Sequence, residues 1–364
     1  MQFLLDLLPA DVVLGVLIFI HELGHFIACR LTGVKVEKFS IGFGPEIFSF
    51  QAPETRYAIS LIPLGGFVKP SGESHEELAS REPASYDFIA QGPVTRFGIA
   101  VAGIAMNFFL AYVLFSAVFM AGRPVTAASV GGFVEGYPAA ASGLAVGDRI
   151  VAVNGHPVEN WRELTSEIFK AGAETLALSV AREGELATVS LAPKLEETRD
   201  VFGKWHQVSR IGILPGDDSV VEKYPPLEAL AKGAELLVET SGLTCKAIAY
   251  LVTGQLSLKN VSGPIGIFVI ASKTAHMGFV HLVQLTAFLS VSLAVFNLLP
   301  FPPLDGGLML FIAIEALRKK RVSLRVQDAV TKTGFVLLLT LMVVVMYNDL
   351  VNIDFFSKLQ QLFK

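Results

Sequence analysis

The chain has 364 residues, 52% of them hydrophobic and only 17% charged, with a formal net charge of −4. Soluble globular proteins carry about 25% charged residues, so this balance excludes an ordinary soluble domain and points to a membrane protein with a substantial soluble part. The slightly acidic balance offers nothing to nucleic acid, and two cysteines in separate regions, Cys29 and Cys245, exclude a disulfide framework.

In chain order, the first element is an apolar run over about 7–29. No Lys or Arg precedes it, whereas a cleavable signal peptide needs a basic leader and a small-residue cleavage site, so the run is expected to stay. It is the first of four expected membrane helices, the others falling at about 97–120, 282–299 and 333–347. Between the first two, residues 56–69 alternate like a β-hairpin and follow Gly42-Phe43-Gly44. Arg318, Lys319, Lys320, Arg321 and Arg325 crowd the loop between the last two. The positive-inside bias makes that loop cytoplasmic and leaves both termini and residues 122–280 on the other side.

Residues 123–217 have the marks of a folded α+β module. Strand-like runs in VGGFVEGYPAAASGLAVGDRIVAVNGHPV are broken by turn signals. NWRELTSEIFKAG then places Leu164, Ile168 and Phe169 on one helical side, and two alternating strands flank a Glu183-Gly184 turn. The pattern resembles a PDZ domain, present once. Such a groove could bind a substrate C-terminus or form part of a size filter. In residues 218–280, apolar side chains recur at helical spacing among Lys, Glu and Thr, as in amphipathic helices on the membrane surface or against the module. The expected plan is therefore a membrane part over 1–122, the module over 123–217, a helical linker over 218–280 and a second membrane part over 281–364.

Inside the first span lies His21-Glu22-Leu23-Gly24-His25. Residues four apart share a helical face, so both imidazoles can reach one metal ion. Glu22 then stands beside the water such a metal would activate, placed as a general base. Ionisable groups are costly in hydrocarbon, which marks all three as functional. A zinc hydrolase also needs a third protein ligand and an open position. Asp305 supplies it, in Asn297-Leu-Leu-Pro-Phe-Pro-Pro-Leu-Asp305-Gly-Gly, expected at the end of the third span in locally extended backbone. Irregular backbone at that depth is tolerated only when buried in protein or lining a wet cavity. Both motifs fall toward the cytoplasmic side. His75, His156, His206, His276 and His281 show no ligand spacing, and Cys29 lies about 12 Å along the helix from His21, too far to join.

HELGH in the first span, one PDZ-like module and NLLPFPPLDGG resemble the site-2 protease family of intramembrane zinc proteases, in particular its bacterial regulator-of-sigma-E branch. IGFGP (41–45), VSGPIGI (261–267) and Ala105-Met106-Asn107 of the second span extend the match. The single module is a departure, since the best-known members of that branch carry two in tandem. The resemblance implies a polytopic α-helical membrane protein with about four transmembrane helices, a membrane-associated β-hairpin and an inserted α+β PDZ domain. It implies Zn2+ bound by His21, His25 and Asp305, with Glu22 as catalytic base and Asn297 as a substrate-positioning group. It also assigns Gly42, Gly44, Ile59 and Leu61 to a β-element that re-enters the membrane face and pairs with an extended substrate. Expected partners are the lipid bilayer and single-pass transmembrane proteins, such as a pre-trimmed anti-sigma factor or signal-peptide remnants, with no nucleic acid. The implied setting is a bacterial inner membrane, with the module periplasmic and the active site toward the cytoplasm.

Overall fold

The computed structural model describes residues 2–73, 81–199 and 205–353; His75 lies outside the described residues. In chain order come α1 (Gln2–Leu31), β1 (Val36–Gln51), β2 (Arg56–Pro70) and α2 (Pro93–Ala121). Then follow β3 (Arg123–Thr126), β4 (Val130–Phe133), β5 (Arg149–Val153), β6 (His156–Pro157), α3 (Trp161–Lys170), β7 (Leu176–Arg182) and β8 (Glu185–Leu191). After β9 (Lys194–Arg199), β10 (Trp205–Arg210), β11 (Ile213–Pro215) and β12 (Ser219–Glu222), the chain is helical: α4 (Pro226–Val252), α5 (Pro264–Met277), α6 (Phe279–Asn297), α7 (Asp305–Arg318) and α8 (Leu324–Asn352). These elements make two compact units, one of Met1–Val118, Leu227–Leu251 and Ser257–Lys364, the other of Phe119–Pro226 and Val252–Leu256.

In the first unit, four helices are long and apolar enough to cross a membrane: Leu8–Leu31, Pro93–Ala121, Phe279–Asn297 and Arg325–Asn352. The protein is polytopic, as the apolar runs predict. The last helix starts well before the expected span because Ser323 caps it, its hydroxyl accepting the Val326 N–H. Arg325 therefore belongs to a helix rather than to the basic loop. The expectation that Asp305 ends the third span needs correction. That span stops at Asn297, and Asp305 is the first residue of a separate helix. Pro300, Pro302 and Pro303 remove donors and block the helical path, so the chain turns before it can coil again.

The linker also differs from its expected form. Residues 219–222 are a strand paired with β3, and α4 is one continuous helix that packs on spanning helices of its own unit. Gly233 lets it meet Ser116, where a Cβ would stand 2.2 Å from the hydroxyl oxygen, and Leu236, Leu237 and Ile248 join the Phe115–Val291 cluster. The VSGPIGI stretch gains a physical reason. Asp349 of α8 accepts the Gly263 and Gly266 N–H groups at 3.0 and 2.9 Å, capping α5 where a Cβ on Gly263 would meet that carboxylate at 2.7 Å.

β1 and β2 do not form a simple hairpin. Residues 38–41 pair in antiparallel register with 66–69 on one side and run in step with 56–59 on the other, while 48–51 close on 56–59. Each strand thus folds back on itself. Gly42 and Gly44, at φ +88° and +86°, make the bend in β1, where a Cβ on Gly42 would approach the Ile62 and Ser60 carbonyl oxygens within 2.9 Å. Segments 46–51 and 66–70 are left as the two outer edges.

The second unit holds a four-stranded sheet in the order β6-β5-β7-β8, with β3 paired to β12, β4 to β11 and β9 to β10. Strict alternation in β7 sends Leu176, Leu178 and Val180 into the core beside Ile150, Leu164 and Ile211, all at most 2% exposed. Side chains this size stabilise by about 1.5–3 kcal/mol each when fully buried. Asn154-Gly155 and Glu183-Gly184 take positive φ at both positions, the geometry of tight hairpin turns. Asn160 caps α3 by accepting the Glu163 N–H. Leu164 and Ile168 are buried as expected, whereas Phe169 is 55% exposed. The Arg182 guanidinium forks onto buried Asp148 at 2.7 Å twice, and this pairing holds the Asp148 carboxyl below the ordinary carboxylate range.

Candidate metal centre

The spacing of HELGH puts His21 and His25 on one face of α1, and the turn after α6 delivers Asp305 opposite them. Asp305 Oδ2 lies 3.0 Å from His21 Nε2 and 3.4 Å from His25 Nε2. One ligand atom from each residue falls within 4.8 Å of the others. Asp305 Oδ2 is buried without a hydrogen-bond partner. A buried carboxylate oxygen aimed at two imidazole nitrogens is the donor set a zinc ion requires, so the residues fit the metal. Tight turn packing aims Asp305. A Cβ on Gly306 would lie 2.1 Å from the Leu299 oxygen, and one on Gly307 would lie 2.7 Å from the Pro302 nitrogen. The two glycines after Asp305 let the proline turn press against the first coil of α7.

Each imidazole is oriented from behind by α2. His25 Nδ1 donates to the Ile99 carbonyl oxygen at 2.8 Å, which leaves Nε2 as the lone-pair nitrogen toward Asp305. His21 Nδ1 faces the Asn107 amide at 3.2 Å. Metal binding through Nε2 puts the proton of His21 on Nδ1, so the amide group facing it must be the oxygen. Turning the Asn107 amide by 180° satisfies this and gives its otherwise unpartnered Oδ1 a donor. Asn107 is held in turn by Ser290, which donates to its backbone oxygen at 2.7 Å. Replacing Asn107 with alanine should weaken zinc binding about 10–100-fold while leaving the ligands in place. Competition with a chromophoric chelator measures this, and an unchanged affinity would remove Asn107 from the centre.

Glu22 does not join the ligand cluster. Its Oε2 accepts the Val68 N–H at 2.9 Å, which sets the carboxylate between α1 and the 66–70 edge of the sheet. Val68 faces Phe39 in the sheet yet sends its N–H to Glu22, so that edge lies against the HELGH turn of α1 at this residue. Asn297, the last residue of α6, brings its amide nitrogen to 3.5 Å from His21 Nε2. The remaining sequence candidates lie elsewhere in the sheet. Ile59 stands between Ile41 and Phe48, so its backbone is interior and not a free edge. The side chains of Ile59 and Leu61 are exposed, and Gly42 and Gly44 shape the bend of β1. Cys29 is fully buried with Val34, Val36 and Ile99, a small apolar packing residue.

A cavity of about 500 Å³ borders Asp305 beneath Pro302, Pro303 and Leu304, and Glu73, Arg96 and Glu315 lend it polar walls. A polar-walled cavity of this size matches the surrounding that proline-broken backbone would need inside a membrane.

Sequence reasoning assigned no role to Asn107, Ile99, Val68 or Gly103. Asn107 carried a signal, as a lone amide in an apolar span. Ile99 and Val68 act through their backbones, which side-chain patterns do not report.

The family model described as Peptidase family M50 matches residues 10–341 of the chain. A protein of Mesorhizobium japonicum provisionally named a zinc metalloprotease is 35% identical, over 96% of this chain and 99% of its own length. One of Clostridium acetobutylicum, also provisionally so named, is 34% identical over 95% and 97%. The zinc metalloprotease RasP of Geobacillus kaustophilus is 32% identical over 93% and 96%. Among solved structures, the PDZ domain of an SdrC-like protein from Listeria monocytogenes is 23% identical, covers 26% of this chain and 88% of its own, and has a TM-score of 0.19.

Proposed function

The chain belongs to peptidase family M50, and from that premise we propose that it cuts transmembrane segments of single-pass proteins within the bilayer. The carrying observation is the convergence of His21, His25 and Asp305, with Glu22 on the same coil, in helices apolar enough to cross a membrane. His21 and His25 would hold zinc through their Nε2 atoms and Asp305 through its carboxylate. Bound there, zinc supplies Lewis-acid polarisation of the scissile carbonyl and lowers the pKa of water to about 7. Glu22 accepts the proton of the attacking water and returns it to the leaving amine. Asn297 donates its amide N–H to a substrate carbonyl beside His21.

A helical substrate hides its peptide bonds and must be extended before attack. Strand addition along the outer edge of the sheet, which Val68 brings next to Glu22, is a more direct route than pairing with the interior strand at Ile59. Ile59 and Leu61 contribute exposed apolar side chains elsewhere on the same sheet, and Gly42 and Gly44 hold the bend of β1 that shapes it. Residues 123–217 form a periplasmic PDZ module that screens substrates, and the catalytic centre lies toward the cytoplasm of a bacterial inner membrane. Substrates of this kind include a pre-trimmed anti-sigma factor or a signal-peptide remnant.

The test incubates the purified full chain with a single-pass substrate in detergent and maps the cut by mass spectrometry. Cleavage inside the apolar segment, stopped by a zinc chelator and restored by zinc, is expected. A cut outside that segment, or one indifferent to chelation, sinks the reading.

A further inference from the structure

One face of α2 serves the whole centre. Arg96, Ile99, Gly103 and Asn107 recur at three- and four-residue spacing and so line one side of that helix. Ile99 holds His25, Gly103 stands against its ring and Asn107 meets His21. Arg96, one turn before Ile99, reaches the other half of the centre. Its Nη2 donates to Glu315 Oε1 at 2.5 Å, and Glu315 lies on α7, the helix that opens with Asp305. Both partners are buried, Arg96 at 5% and Glu315 at 8% exposure. Arg321 of the basic loop makes a second contact to the same oxygen at 3.3 Å.

A buried ion pair is a poor source of stability. Desolvation costs several kcal/mol per ion, and apolar replacements of similar volume often keep a fold as stable or make it more so. Arg96 adds to the cost, because its Nε is buried without a partner. What such a pair does supply is register. Two charges satisfy each other in one alignment of their helices, whereas apolar side chains repack through several. Register matters here, because metal ligands must sit within about 0.2 Å of their preferred distances. Two ligands ride on α1, whose close approach to α2 is fixed at Gly24 and Gly103. The third rides on α7, which the Arg96–Glu315 pair ties to that same α2.

We propose that Arg96 and Glu315 are positioning residues: their buried pair sets the register of α7 against α2 and so places Asp305 opposite His21 and His25. The proposal rests on the reading of those three residues as a zinc site. It separates what the pair does for the centre from what it does for the fold.

The deciding variant is Arg96→Met/Glu315→Leu in the full chain, purified in detergent. Its zinc affinity is measured by chelator competition and its thermal unfolding is followed in parallel. The double variant should melt no lower than the unsubstituted chain, yet its zinc dissociation constant should rise about tenfold or more, as for other groups that orient ligands from outside. Parent-like zinc affinity in the double variant overturns the proposal. Failure of the double variant to fold also overturns it, since the pair would then be a determinant of folding. The unsubstituted chain and Asp305→Asn, measured alongside, test the premise separately. If the first binds no zinc, or the second binds it as tightly as the first, the zinc reading itself falls.

Discussion

Glu22→Gln should leave zinc bound and the fold intact while lowering cleavage of a single-pass substrate about 10²–10⁴-fold. Glutamine matches glutamate in length and volume, and its Oε1 can still accept the Val68 N–H that Glu22 Oε2 accepts at 2.9 Å. The ligand atoms come from His21, His25 and Asp305, so the substitution removes none of them. What disappears is a group able to take a proton. A neutral amide offers N–H donors where the attacking water needs a base, and no other carboxylate shares that turn of α1. Metal content by atomic emission and product formation on gels should therefore part company, with zinc at the level of the unsubstituted chain and product nearly absent. Uncleaved substrate should also remain associated with the variant. Cleavage within about tenfold of the unsubstituted rate would take the base role away from Glu22, and simultaneous loss of zinc would make Glu22 a ligand instead.

The separation of Glu22 from the two imidazoles is legible in the sequence, because it depends only on helical geometry. Spacing of four puts His21 and His25 together, and a shift of one residue turns Glu22 aside. Asp305 was legible as a residue but not as a position. The proline-rich stretch reads as the end of a span with locally extended backbone. The turn is tighter than that and reverses into a new helix, because Gly306 and Gly307 leave room for backbone atoms that any side chain would displace. Prolines announce where a helix stops; they do not say how far the next one lies. Asn107 shows the complementary limit. Its amide matters only because α1 and α2 approach closely enough for it to meet His21, and that distance is a long-range property of packing.

The sheet makes the same point about the fold. Alternating residues over 36–51 and 56–70 do mark extended chain, but periodicity cannot show that each strand doubles back. Glycines at positive φ decide it. Gly42, Gly44 and Gly65 take φ values of +88°, +86° and +137°, which side chains resist. The bends leave Ile59 inside the sheet and residues 66–70 at its outer edge, where Val68 meets Glu22, and so change which segment the proposed substrate would pair with. In the second unit, by contrast, local rules agree with one another. Turn pairs at Asn154-Gly155 and Glu183-Gly184, the cap at Asn160 and the alternation of β7 all predict the same structure, and it forms. Within the helix at 161–170, Phe169 departs, because its place one residue after Ile168 carries it around the helix and out of the core.

Gly103→Ala should abolish tight zinc binding although it adds a single methyl group far from any ligand in sequence. A Cβ at this position would lie 2.3 Å from His25 Nε2 and within 2.8 Å of Cε1 and Cδ2, distances that no packed structure tolerates. The ring has nowhere to retreat. Its Nδ1 is bonded to the Ile99 oxygen at 2.8 Å, and Gly24, the residue before His25, already holds α1 against the Ala102 carbonyl, where a Cβ would stand at 2.4 Å. Relief must come from swinging the imidazole off its hydrogen bond or from parting the two helices by about 1 Å, and either moves Nε2 away from Asp305. Misplacement on that scale costs about 10²-fold in rate, and the zinc dissociation constant should rise by at least about 10–100-fold. Gly98→Ala supplies the control within the same helix, since a Cβ there meets nothing within 4 Å. That change should leave zinc binding untouched and stabilise α2 by roughly 0.5–1 kcal/mol through reduced chain entropy. Equal zinc affinity in the two variants would show that Gly103 does not hold the space His25 needs. Loss confined to Gly103→Ala would place the source of metal affinity partly in the absence of a side chain, on a helix that contributes no ligand at all.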